Sequence, residues 1–383
     1  MKRYIIVGGG ILGASTAYHL AKEGRDVTVI ERNDRGQATE AAAGIVCPWL
    51  TQRRNKAWYQ LAKGGAKYYP SLIQELEDLG EGDTGYERVG AIGLHSDSSK
   101  LDKMEERAHK RLQEAPEIGK ITRLNHEETK KLFPLLAEGY EAVHVSGAAR
   151  VNGQALKKAL LSAAVKLGAT IHYGEASLLH DGKKVHGVRF RGKDLEGDKV
   201  ILTTGAWANE LLEPLGIHFK IKPQKAQIIH LEFANLDVGS WPVVMPPTNQ
   251  YLLSFNDGRV VIGATHEDDV GFDLRPTVGG MYEILDKALA VAPGLSDATV
   301  VETKVGFRPV APNFLPIIGD VPNWGGLVVA NGLGSSGLTV GPFLGAELAK
   351  LASGENLEID LAHYNVAQAI EPLENVEKKF NQK

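Results

Sequence analysis

The sequence predicts an α/β protein in which a discontinuous Rossmann-like nucleotide-binding domain carries an inserted β-rich (α+β) domain. Three observations predict it. Residues 4–31 read as a buried strand, a glycine turn, a helix and a second strand that closes on a carboxylate. Residues 326–351 read as another buried strand, a glycine-rich loop and a helix. Between them, α/β periodicity at 147–218 is flanked by stretches of different character, the second of which, 219–304, is mainly β. At 383 residues the chain is long for one core, so two domains are expected.

The opening turn has the spacing of a dinucleotide site. Gly8 allows the tight turn, Gly10 bares the backbone to a pyrophosphate, and Gly13 lets the helix pack on the strand. Ile11 and Leu12 sit inside the turn, where a helix N-terminus favours anions. Glu31, 31 − 13 = 18 residues beyond the last glycine and followed by Arg32, suits a ribose hydroxyl. These features specify an ADP-bearing cofactor and leave nicotinamide and flavin both open. Next, 53–79 reads as an amphipathic helix with a kink or break at Pro70, and 87–95 as a strand. Residues 101–114 form a charged helix, and Asn125 opens a short one. A helix over 153–168 leads into a strand at 170–173, and Asp181-Gly182 turns a hairpin. The strand 199–205 precedes a helix over 206–215. Strands follow at 228–233, 251–255 and 260–264, then a helix at 277–291. Pro342 is expected in the first turn of the last helix.

Composition removes several function classes. Gly supplies 43 of 383 residues, above the roughly 7% norm, as suits backbone in close approach to ligands. Net charge is −4 and the basic residues are dispersed, so no nucleic-acid partner is expected. The single cysteine, Cys47, excludes internal disulfides and fits a cytoplasmic setting. No apolar run reads as a membrane span, while peripheral membrane association and homo-oligomerisation are left open. The apolar run after Lys2-Arg3 reads as a strand rather than a leader. The histidines lack metal-binding spacing, so no metal is expected.

The C-terminal loop carries Gly332, Gly334, Ser335, Ser336, Gly337, Leu338 and Thr339, small residues at a helix start that stabilise negative charge. An ordinary α/β loop is the alternative. Gly306-Phe307-Arg308-Pro309 reads as a stiff segment aiming Arg308, whose planar guanidinium can clamp a carboxylate. A surface ion pair is the plainer role. Tyr251, opening a strand, offers a hydroxyl to the same carboxylate, or else packs in the core. His266, after the next strand, lines the same pocket or is a strand-end polar residue.

In combination these segments resemble the D-amino-acid oxidase superfamily of FAD-dependent oxidoreductases, nearest its D-amino-acid dehydrogenase and glycine oxidase branches. The resemblance rests on Gly8 to Gly13, Ala38-Thr39 to Ile45, Thr203 to Trp207, Gly306 to Pro309 and Gly334 to Thr339, in the family's order. It implies an FAD-binding domain at 1–85, 147–218 and 305–383, and a substrate domain at 86–146 and 219–304. It implies that Glu31 binds the adenosine ribose and Ala176 the adenine. Thr39, Ala43, Gly44, Ile45, Thr204, Gly205 and Trp207 would border the cofactor, and Gly337 to Thr339 the flavin's pyrimidine edge. Arg308 and Tyr251 match the carboxylate-binding pair, with His266 nearby. Covalent members tether flavin through a Cys near the Arg308 segment, which has none here, so the implied FAD is non-covalent.

The implied reaction is oxidative deamination of a small D-amino acid or glycine. Hydride passes from Cα to flavin N5, and the imino acid hydrolyses to a 2-oxo acid. An N-alkyl amine (sarcosine, proline) or a 2-hydroxy acid is the alternative substrate, and a flavin-binding scaffold the non-enzymatic alternative. Oxygen and quinone-type acceptors are both left open.

Overall fold

The structure is a computed structural model and describes residues 2–380, with side chains to 376. Residue 1 and residues 381–383, the ends of the expected FAD-binding domain, lie outside the described residues. The first sheet has six strands, ordered Ile317–Asp320, Leu327–Asn331, Lys199–Leu202, Arg3–Val7, Asp26–Glu31 and Thr170–Tyr173. All neighbours are parallel except the outermost pair, Ile317–Asp320 with Leu327–Asn331. The chain passes from Arg3–Val7 to Asp26–Glu31 on one side and returns at Lys199–Leu202 on the other. That reversal makes a crevice at the carboxyl ends of the central strands, where open α/β sheets bind ligands.

Alternation along the strands covers both faces. Tyr4 and Ile6 face helices Ile11–Lys22, Lys56–Asp78, Gly153–Lys166 and Gly337–Ser353. Ile5 and Val7 face the other way, onto Val185, Val188 and Phe190 of a three-stranded antiparallel sheet (176–196). One face is therefore covered by helices and the other mainly by a small β layer.

The second sheet has eight strands, ordered Thr299–Val310, Lys222–Glu232, Arg259–Gly263, Tyr251–Ser254, Val243–Met245, Ala91–His95, Glu141–Val145 and Ile121–Leu124. Its outer face packs on the helix Val278–Val291 through Ile229, Leu231, Ile262, Ile284 and Ala288. Its inner face, with Ile228, Leu253 and Val261, joins the core under the first sheet.

Several expectations are corrected. Of the kink or break expected at Pro70, the break does not occur: Lys56–Asp78 is one helix. The expected helix over 206–215 is a short α-helix, Ala208–Leu212, between two 3₁₀ turns. Pro214 explains the tightening at its end, since it falls in the second of these turns, which Gly216 caps in the left-handed region. The segment expected to be stiff around Arg308 is part of a strand, Thr299–Val310, so the expected boundary at 305 falls inside a strand. Pro342 sits in the second turn of Gly337–Ser353, because the preceding 3₁₀ turn displaces the helix start. There it removes the N–H that would bond Leu338 O, and the Tyr69 hydroxyl donates to that carbonyl instead at 2.5 Å.

Candidate active site

A cavity of 640 Å³ runs from the crevice of the first sheet to the inner face of the second. The glycines in and around it divide into two kinds. A Cβ at Gly13 would stand 1.9 Å from Gly8 O, and one at Gly44 (φ +96°) 1.8 Å from Val151 O, so these glycines permit backbone packing. A Cβ at Gly205, Gly334 or Gly337 would meet no protein atom within 4 Å, and one at Gly10 only Thr39 Oγ1 at 3.5 Å. These four line the cavity and keep it open. Gly13 is not in its lining; its place is the close helix–strand packing expected of it.

At one end, Gly8, Gly10, Ile11 and Leu12 lie beside Glu31, Arg32 and Ala176. The Glu31 carboxylate is buried and accepts from the Gly9 N–H, the Asn33 N–H (2.6 Å) and Gln37 Nε2 (2.7 Å). Arg32 is already neutralised, by Asp34 at 2.7 Å and Glu210 at 2.5 Å. Thr39 Oγ1 accepts from the Ile11 N–H at 3.0 Å, tying the 38–45 loop to the helix start. Ala43, Gly44, Ile45, Thr204 and Trp207 continue the wall, and the buried Thr204 hydroxyl has no protein partner.

Toward the other end, Ser335, Ser336, Leu338 and Thr339 join the lining. Thr339 Oγ1 donates to Ile45 O at 2.8 Å, and Trp58 Nε1 donates to Ser336 Oγ at 2.8 Å. Arg308, Tyr251 and His266 complete it. The Arg308 guanidinium donates to Gln224 Oε1 and Thr265 O, both at 3.3 Å, and no ion pair with a carboxylate forms among the described residues. Burial lowers its pKa, partly offset by Tyr251. Burial raises the Tyr251 hydroxyl to about 12, so it stays protonated and can donate. His266 is lowered, first by burial and then by Arg308, which keeps the imidazole neutral at neutral pH. Burial raises the Cys47 thiol, also in the lining, to about 12.

The cavity thus joins every expected site residue except Gly13. Gln37, Trp58, Gln224 and Asn331, whose side-chain amide donates to Gly205 O at 2.8 Å, went unread. Trp58 reads as core in an amphipathic helix, and Gln37, Gln224 and Asn331 have no spacing signal. An open trough with bare glycines at both ends, a helix start beside one and a free hydroxyl in its wall fits a dinucleotide laid across the crevice.

The family model described as FAD dependent oxidoreductase (DAO) matches residues 3–351. The chain belongs to the DAO family of FAD-dependent oxidoreductases. The YurR oxidoreductase of Bacillus subtilis (strain 168) is 67% identical over 371 residues, covering 97% of this chain and 100% of that one. A glycine oxidase of Pseudomonas aeruginosa is 34% identical over 370 residues, covering 95% and 98%. The structure of iminodiacetate oxidase (IdaA) from Chelativorans sp. BNC1 matches with TM-score 0.92 and 47% identity, covering 95% and 99%. This DAO-family chain is therefore an FAD-dependent oxidoreductase with the fold of those enzymes. No helix among the described residues is long and apolar enough to cross a membrane.

Proposed function

We propose that this protein oxidises the Cα–N bond of a small amino acid, glycine or an N-substituted glycine, with non-covalent FAD. The observation that carries the reading is Arg308, a half-buried cation with no carboxylate partner among the described residues, in a cavity that also holds the Tyr251 hydroxyl. A charge partly withdrawn from water without a counter-charge is costly, and a ligand's carboxylate would supply the partner. The likeness to iminodiacetate oxidase favours an N-substituted glycine, and the glycine oxidase relative supports the shorter substrate.

Bound FAD would accept two electrons and the α-hydrogen. The chain's residues position the reactants. Arg308 and Tyr251 hold the carboxylate, turning Cα toward the Gly334–Thr339 loop. Neutral His266 accepts the proton that an ammonium must lose before it can be oxidised. The helix start at Ile11 holds the pyrophosphate, Glu31 the ribose, Ala176 the adenine, and Gly337 to Thr339 the pyrimidine edge. The oxidised imine takes up water: iminodiacetate would give glyoxylate and glycine, and glycine would give glyoxylate and ammonia. The six-stranded sheet serves as the cofactor domain and the eight-stranded sheet as the substrate domain. Anaerobic mixing of the FAD-loaded protein with iminodiacetate, glycine, sarcosine and D-alanine tests the reading. Bleaching of the flavin band by carboxylate-bearing amines is expected; no bleaching by any of them refutes it.

A further inference from the structure

We infer that Gln224 is an uncharged spacer that separates Arg308 from a permanent counter-charge. The inference rests on the carboxylate-clamp reading of Arg308. Strands Lys222–Glu232 and Thr299–Val310 pair with Gln224 directly opposite Arg308, so both side chains leave the same face of the sheet. Arg308 Nη1 donates to Gln224 Oε1 at 3.3 Å, and Gln224 Nε2 donates to Asp268 Oδ1 at 3.0 Å. The chemistry leaves the amide one orientation. A guanidinium only donates, so it faces the carbonyl oxygen, and a carboxylate only accepts, so it faces the NH₂ group. Gln224 is itself only 9% exposed.

An acid is thus available beside the site, but an uncharged amide stands between it and Arg308. The other arginine in the cavity wall shows the contrary arrangement: Arg32 meets Asp34 and Glu210 directly. An anion has little to gain at an arginine already paired, as Arg32 is, and much at Arg308, which the spacer leaves unpaired. A glutamate at 224 would neutralise Arg308 from within and compete with the ligand.

The test uses FAD-loaded protein and acetate, a carboxylate without an amine, titrated by its perturbation of the flavin band. KM and kcat are measured in parallel for iminodiacetate and glycine, in wild type, Q224E, Q224M and R308M. Q224E should weaken acetate binding and raise KM at least about tenfold, with kcat changed less, while Q224M changes them by less than about threefold. Melting temperatures and FAD content check folding. Because Q224E also places a carboxylate beside Asp268, Q224E/D268N removes that repulsion and should bind acetate as weakly as Q224E. Equal effects of Q224E and Q224M, or recovery of acetate binding in Q224E/D268N, would overturn the spacer while the R308M defect leaves the clamp standing. Acetate binding unchanged in R308M would overturn the clamp itself, and the spacer with it.

Discussion

At the scale of the residue, the two kinds of glycine make opposite predictions. Gly13→Ala forces a Cβ to 1.9 Å from Gly8 O, and should destabilise the apoprotein by about 3 kcal/mol or more in urea denaturation. Gly337→Ala adds a Cβ at a helical φ of −51° with no protein atom in reach. Its apoprotein should be as stable as wild type while FAD affinity falls, read by retention of the flavin on dialysis. Arg308→Met should lower kcat/KM for a carboxylate-bearing amine at least about tenfold without lowering the melting temperature, since it removes a half-buried charge that has no counter-charge. Gly8, Gly10 and Glu31 were legible because the motif's spacing states its own geometry. Gln224 was not, since it acts on a residue 84 positions away that only the pairing of two strands brings beside it, and Gln37 stands in a loop with no spacing signal.

At the scale of the element, the helices on the first sheet carry polar devices that apolar periodicity does not reveal. His19, on the first helix, is held neutral mainly by burial, with its pKa lowered to about 4. Its Nδ1 lies 2.6 Å from Ser15 O, to which the neutral ring donates, and Nε2 is left to accept from the Tyr68 hydroxyl on the neighbouring helix. The unfolded chain takes up this proton near pH 6.5 and the native state only near 4. The unfolded state therefore binds more protons in that window, and stability is lost as pH falls from 6.5 toward 4. The loss attributable to His19 is on the order of 3 kcal/mol at most, and His19→Asn should flatten that part of the urea-midpoint profile against pH. Tyr69→Phe removes the donor that replaces Pro342's missing N–H and should cost about 1–3 kcal/mol. Strands with strong apolar runs, such as Arg3–Val7 and Leu327–Asn331, were legible. The long strand Thr299–Val310 was not, because Gly306 and Pro309 punctuate it; its membership of the sheet comes from pairing with Lys222–Glu232.

At the scale of the whole molecule, the cavity lies between two sheets whose strands alternate along the chain, so its lining draws on residues from position 7 to position 339. A cofactor bound there stabilises the native state by mass action, about 2.7 kcal/mol at a hundredfold excess over Kd. Stripping FAD should lower the melting temperature, and adding FAD back should restore it in a concentration-dependent way. The nucleotide-binding half was legible because its motifs recur locally. The eight-stranded sheet was only partly so, because Ala91–His95, Glu141–Val145 and Ile121–Leu124 join it by long-range pairing that no local pattern encodes. The central claim joins the two halves: a carboxylate on Arg308 places an oxidisable Cα–N bond at the flavin. Anaerobic flavin reduction by iminodiacetate, followed in wild type and Arg308→Met, tests it most directly. The account predicts rapid bleaching in wild type and, at equal subsaturating substrate, bleaching at least about tenfold slower in the variant. Equal bleaching in both, or reduction of wild type only by amines that lack a carboxylate, would contradict it.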